Sequence, residues 1–248
     1  EAYFYSEEKA TNGHVLVDNC SDLLLAVNSP AADSIRQLRA NAGAIVPKEA
    51  GLFNPSFEWG PNNLLPTGWI HTTDGFETLV RTHPAGVEDV IYLEPVGSIR
   101  LESTVAKPVR LKAQAGNRYL SLLSSEAGKT QQVSQELDVP MKKDSNYIFS
   151  VYLARSKHFY EYQLTDKKRT DFKNPLKLRV WGGTLRQPKM ELLAESGSVV
   201  GPEWKKFDLK IKPGQQDYFC LTLEAWYVSD VGKPYNGNLL LDNCSLTA

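Results

Sequence analysis

Apolar and polar residues alternate along most of this chain from about residue 50 onward. Leu176, Leu178 and Val180 alternate with Lys177, Arg179 and Trp181. Phe207, Leu209 and Ile211 alternate with Lys206, Asp208, Lys210 and Lys212, and Phe149, Val151 and Leu153 repeat the pattern. Successive side chains of an extended chain point to opposite faces, so a period of two predicts antiparallel strands with one buried face and one wet face. Turn-forming residues fall between the runs, at Pro66-Thr67-Gly68, Ala115-Gly116-Asn117, Lys143-Asp144-Ser145-Asn146, Pro213-Gly214 and Asn236-Gly237. Strands of this length and spacing predict an all-β domain over residues 50–248, an antiparallel β-sandwich or jelly roll. The polar stretch 156–175 reads as a long hairpin tip or solvated loop.

One segment carries a helical pattern. Ser29 precedes Pro30, with Asp33 in the first turn, and Ile35 and Leu38 then give an apolar stripe that Gly43 stops. Serine at the N-cap with proline at the first helical position predicts a short helix at about 30–42, within a connector spanning 23–49.

The chain also repeats itself. Residues 1–23 read EAYFYSEEKATNGHVLVDNCSDL and residues 224–246 read EAWYVSDVGKPYNGNLLLDNCSL. Both copies run from an apolar-aromatic strand through an Asn-Gly turn to a strand ending in Asp-Asn-Cys-Ser. The copies lie about 223 residues apart, the size of one large β-domain. The repeat predicts that residues 1–22 are the terminal hairpin of a preceding repeat, and that the chain is a window on a longer tandem array. Residues 224–246 should then form the matching hairpin. With Val228 opposite Asn236, the register places Cys220 opposite Cys244, within reach of a disulfide. Two buried thiols are the alternative, since a shift of one residue sends the side chains to opposite faces.

Composition narrows the function classes. Twenty-eight basic against 29 acidic residues give a net charge of −1, with no basic footprint for nucleic acid. No apolar run is long enough for a membrane span. Three cysteines are too few for a disulfide scaffold, and the four histidines stand apart from one another. No G-x-S-x-G, H-E-x-x-H or phosphate-binding glycine loop is present, and nothing singles out a carboxylate pair. The sequence therefore points away from an enzyme.

Several segments together resemble the galactose-binding-like jelly rolls found in many carbohydrate-binding modules. They are Asn54-Pro55-Ser56-Phe57-Glu58 with Pro66-Thr67-Gly68-Trp69, then Asn117 to Leu122, Val133 to Leu137 with Tyr147 to Ala154, Trp204 to Phe207, and Leu241-Asp242-Asn243. Residues 178–183, 191–196 and 234–238 are also similar to repeats of giant surface adhesins and filaments that gliding bacteria export by type IX secretion. That resemblance implies an extracellular, cell-surface location. It also implies partnership with neighbouring repeats of the same polypeptide, and a homo-oligomer or filament.

The resemblance to carbohydrate-binding modules names candidate site residues as well. It implies a structural Ca²⁺ held by Glu58 and Asp242, with Asn54 and nearby main-chain oxygens; turn hydrogen bonds at strand ends are the plainer reading. Sugar-binding jelly rolls stack pyranose rings on exposed aromatics, and Trp69, Trp181, Trp226, Tyr160 and Tyr162 are the candidates here, against core or inter-repeat packing. Two functions follow: a non-catalytic structural or adhesive repeat, or a carbohydrate-binding module that grips a glycan through its aromatics.

Overall fold

A computed structural model describes residues 48–49, 51–59, 66–71, 81–84, 91–93, 104–107, 111–157, 159–163, 168–228 and 233–248. The expected hairpin at 1–22, the helix at 30–42 and Cys20 lie outside the described residues. Among the described residues, sixteen strands run in chain order. They are β1 (Lys48–Glu49), β2 (Leu52–Phe53), β3 (Ile70–His71), β4 (Arg81–Pro84), β5 (Ile91–Leu93) and β6 (Thr104–Lys107). Then come β7 (Arg118–Ser124), β8 (Gln132–Met141), β9 (Tyr147–Ala154), β10 (Tyr160–Gln163) and β11 (Lys168–Asp171). The last are β12 (Leu176–Gly183), β13 (Glu191–Glu195), β14 (Lys205–Ile211), β15 (Tyr218–Tyr227) and β16 (Gly237–Thr247).

Two five-stranded antiparallel sheets form a sandwich. The front sheet has the order β13-β12-β15-β8-β3 and the back sheet β14-β9-β16-β7-β4. The alternating runs build the layer between them. Leu176, Leu178 and Val180 from the front meet Phe149, Val151, Leu153, Leu239 and Leu241 from the back in one cluster, each fully buried. Burying such side chains contributes roughly 1.5–3 kcal/mol apiece, which is what holds the two sheets face to face.

Part of the back sheet is buried on its other face too. Tyr119, Leu123 and Leu240 point away from the sandwich interior and pack with Phe159 and Phe172. Those two phenylalanines flank the β10–β11 hairpin, and their rings lie 5.3 Å apart. The stretch 156–175 is thus a docked hairpin held by two apolar anchors. Its charged middle hides them from a reading based on composition. A four-stranded sheet, β11-β10-β6-β5, extends from this hairpin.

Residues 224–246 do not form the expected hairpin. β15 lies between β12 and β8 in the front sheet, whereas β16 lies between β9 and β7 in the back sheet. Each is a central strand with both edges occupied, so neither has an edge left for the other. The connection after Tyr227 crosses from one sheet to the other. Cys220 consequently pairs across the sheet with Gly183 and Glu136, not with Cys244. Its side chain shares the outer face with Thr222, while Cys244 sits in the core between the sheets. Both are buried free thiols, which corrects the disulfide expected from a hairpin register.

Burial pushes the Cys220 thiol up to about 11 and the Cys244 thiol well above the ordinary range. Thiolate is the reactive form, so both should resist a thiol reagent at about pH 8 in the folded chain. Both should react on unfolding, in protein never exposed to reductant. A missing thiol titre after unfolding would restore the disulfide.

Candidate functional site

Two places gather the residues singled out by sequence. The first is one end of the sandwich, where the turn after β2, the loop before β7 and a bulge in β16 meet. The bulge falls between Asp242 and Ser245, and Asn243 takes a left-handed φ of 48° there. Asparagine tolerates that conformation better than most residues. Asp242 is fully buried. Its Oδ2 accepts the Gln114 and Ala115 N–H groups at 2.8 and 3.3 Å, and its Oδ1 accepts the Asn243 N–H at 2.8 Å. Glu58 accepts the N–H groups of Asn117 and Arg118, both at 2.9 Å. Between them sits Gly116 at φ +66°, where a Cβ would lie 2.3 Å from Glu58 Oε1. Burial pushes the Asp242 carboxyl up to about 7 against its three N–H donors, and the nearby charge of Glu58 adds to the rise.

The loop 114–118 therefore ties both carboxylates together through backbone donors. Ca²⁺ needs roughly six to eight oxygen ligands at about 2.3–2.6 Å. Here the two carboxylates accept backbone N–H groups instead. Asn54 is engaged in the turn: its Nδ2 donates to Trp59 O and Thr67 O at 2.8 and 2.9 Å, and its Oδ1 accepts the Trp59 N–H. No cluster of three or more His, Cys, Asp or Glu suited to a metal ion stands among the described residues. Glu58, Asp242 and Asn54 as arranged form a hydrogen-bonded lock.

The second place is the outer face of the front sheet. Alternation brings Lys177, Arg179 and Trp181 of β12 beside Trp226, Glu224 and Thr222 of β15. Glu224 is fully buried although it faces outward. It accepts Trp181 Nε1 at 2.8 Å, Lys189 Nζ at 2.9 Å and Thr130 Oγ1 at 3.0 Å. Arg179 stacks on Trp226 with its guanidinium carbon 3.9 Å from the ring centroid, and both Arg179 and Lys177 donate to Glu195. Burial opposes ionisation of Glu195, yet those two cations hold its carboxyl below the usual carboxylate range. Both tryptophans are half-buried.

Beside this face the β12–β13 loop folds back over the sheet. Thr222 Oγ1 donates to Pro188 O at 2.9 Å, and Gly183 gives the loop room, since a Cβ there would lie 2.3 Å from Gln187 O. The fold-back leaves a cleft of about 520 Å³ lined by Gln132, Arg186, Gln187, Pro188, Lys189, Met190 and Gln215. That volume is in the range of small-ligand sites. Lys189 joins cleft and face, its Nζ lying 5.7 Å from the Trp181 ring centroid.

The other aromatic candidates lie elsewhere. Trp69 is a core residue, 3% exposed, with its ring 5.4 Å from Phe57 and its N–H bonded to Asn54 O. It cannot offer a face to a sugar. Tyr160 lies on the β10 hairpin with Arg169 over its ring at 4.1 Å, and Tyr162 follows on the same strand. Glu224, Lys189 and Arg186 are the site residues that a motif reading passes over. A lone glutamate within the apolar run from Tyr218 to Val228, two places from both Thr222 and Trp226, is the signal that marks this face.

No protein-family model matches the chain, and no curated protein matches it. Solved structures do. A cyclase from Fischerella sp. TAU in complex with 4-(1H-indol-3-yl)butan-2-one is 14% identical, covering 79% of this chain and 94% of its own, with a TM-score of 0.43. The carbohydrate-binding module TmCBM61, in complex with β-1,4-galactotriose, is 16% identical over 80% of this chain and 98% of its own, with a TM-score of 0.40. The CBM22-1–GH10 modules of Clostridium thermocellum xylanase 10B, complexed with xylohexaose, are 14% identical over 73% of this chain and 26% of theirs, with a TM-score of 0.38. Carbohydrate-binding modules are thus among the similar structures.

Proposed function

We propose that this chain is a non-catalytic carbohydrate-binding module that takes a glycan on the outer face of its front sheet. One observation carries the reading: Trp181 and Trp226 share that face, Trp181 bonded to buried Glu224 and Trp226 stacked under Arg179, with Lys189 linking the Trp181 ring to a polar cleft. Sugar rings present apolar C–H faces edged by hydroxyls. Half-exposed indoles beside fixed polar groups match that chemistry, because aromatics supply contact area at little entropic cost. Preorganisation matters here, since a ring already locked in place loses little freedom when a ligand arrives.

The test is affinity electrophoresis against a panel of soluble polysaccharides. Trp181→Ala and Trp226→Ala should each weaken retardation by the bound glycan by roughly tenfold, the scale set by about 1.4 kcal/mol of lost contact. Retardation unchanged in both variants would remove the face from consideration.

The repeat of residues 1–23 at 224–246 favours a second reading, in which this module is one unit of a larger secreted surface adhesin or filament. In β-repeat arrays each unit contacts its neighbours, and stability is summed along the rod. The full-length gene product should then carry further copies of the Asn-Gly … Asp-Asn-Cys-Ser segment, with neighbouring repeats or further chains as partners at the cell surface. A gene product with no further copy would overturn this second reading and leave the first untouched.

A further inference from the structure

We infer that the cleft beside Trp181 selects an anionic saccharide, one whose carboxylate or sulfate pairs with Arg186. The inference rests on the glycan-binding reading of the same face and adds the charge of the ligand to it.

The lining residues come from three separate elements. Gln132 stands on β8, Arg186 to Met190 on the β12–β13 loop, and Gln215 on the turn before β15. Two of the seven are cations and three are amides, and none is a carboxylate. Two acids beside the lining residues are already engaged. Glu224 is fully buried and holds Lys189. Glu191 accepts the N–H groups of Gly214 and Gln215 at 3.1 and 3.2 Å and the Tyr218 hydroxyl at 2.7 Å. Those bonds, working against burial, hold the Glu191 carboxyl below its ordinary range, so its charge is spent on fixing the turn that carries Gln215.

Arg186 differs from every other cation at this face. Lys177 and Arg179 are tied to Glu195, and Lys189 to Glu224. Arg186 is exposed and makes no hydrogen bond or ion pair among the described residues. Its guanidinium offers a planar fork of donors that matches a carboxylate or sulfate in two-point contact. The three amides offer both donors and acceptors, the combination that sugar hydroxyls require. The loop that carries Arg186 is pinned to the sheet. Thr184 accepts the Gln187 N–H through its hydroxyl at 3.1 Å, Met190 N–H donates to Gly182 O at 3.0 Å, and Thr222 holds Pro188. The site is therefore built before ligand arrives. The chain's net charge of −1 gives no long-range pull on anions, so discrimination has to be local to this cleft.

The experiment is titration calorimetry on the 248-residue chain with an oligogalacturonate, a sulfated oligogalactan and a neutral oligogalactan of equal length. One or both anionic sugars should bind roughly tenfold or more tightly than the neutral one in about 50 mM salt, and the gap should narrow at about 500 mM as charges are screened. Which anionic sugar wins identifies the carboxylate or the sulfate. Arg186→Gln should abolish the gap at an unchanged thermal midpoint, since the side chain is exposed. Equal binding of all three sugars, unaffected by Arg186→Gln, would overturn the inference and leave the glycan-binding reading standing. A preference for anions that survives Arg186→Gln would overturn the assignment to this cleft. No binding of any sugar, neutral or charged, would take down both.

Discussion

Asn54→Ala is expected to lower the stability of the sandwich by about 3 kcal/mol, read as a drop in the urea midpoint at unchanged slope. Asn54 is 1% exposed and anchors the turn that leads out of β2. Its side chain satisfies three backbone groups: the Trp59 carbonyl, the Thr67 carbonyl and the Trp59 N–H. Truncation leaves all three without that partner, and each buried group so orphaned costs roughly 1–3 kcal/mol, less where water can reach it. Trp59 is 41% exposed, so water offsets part of the loss on that side. Backbone strain adds to the cost, because residue 54 has a φ of 50° that alanine adopts less readily than asparagine. The Asn54 main-chain oxygen also receives the Trp69 indole N–H, so a shifted turn would disturb a core ring. Asn54→Asp should cost more, since it points a carboxylate at two carbonyl oxygens. The loss should be the same in EDTA and in millimolar calcium. A loss that appears only with calcium would make Asn54 a metal ligand and defeat the hydrogen-bonded lock described above. A midpoint within error of the parent would show that the turn holds without this side chain.

The same region shows how far the sequence could be read. The Asn54–Glu58 and Leu241–Asn243 segments are legible as a pair because they carry a resemblance, and the structure does bring Glu58 and Asp242 to one loop. What is not legible is which atoms of that loop turn inward. Donors and carbonyls alternate along the backbone, and a single peptide rotation exchanges one for the other. The alternating strands are legible for a different reason: Leu176, Leu178 and Val180 are buried because a period of two leaves them no other face. Partner choice is a long-range property and leaves little local trace. The segment from Glu224 to Leu246 has the Asn-Gly signal of a hairpin, yet its two strands join different sheets because each meets better-matched neighbours on both edges. Phe159 and Phe172 were hidden by charged neighbours. The 184–190 loop carries no motif, and its place over the sheet depends on Gly183 and Thr222, which gain meaning only once the strands are registered.

Glu224→Ala should be costly in both stability and binding, although Glu224 is fully buried and cannot touch a ligand. The carboxylate joins three elements: Thr130 just ahead of β8, Trp181 on β12 and Lys189 on the loop that walls the cleft. Its removal leaves an indole N–H and a hydroxyl without acceptors and Lys189 without a counter-ion. Breaking a buried pair from one side typically costs roughly 3–5 kcal/mol, because the surviving charge is left uncompensated. Here Lys189 is 35% exposed and can swing toward water, so the lower end of that range, about 3 kcal/mol, is the expected figure. Glycan affinity should fall in parallel, since both the Trp181 ring and the loop lose the group that orients them. Glu224→Gln separates the two effects. It preserves volume and one acceptor oxygen, so most of the stability should return, while Lys189 stays unpaired and the loop stays loose. Tryptophan fluorescence should report the same change, with a red shift in Glu224→Ala that Trp181→Ala abolishes. Pairing Lys189→Met with Glu224→Leu removes both charges together and should recover part of the stability, as apolar replacement of a buried ion pair often does. It should not recover binding. A double variant that is stable and binds glycan as tightly as the parent would mean that this network only packs the sheet, and that Trp181 is held for the sake of the fold.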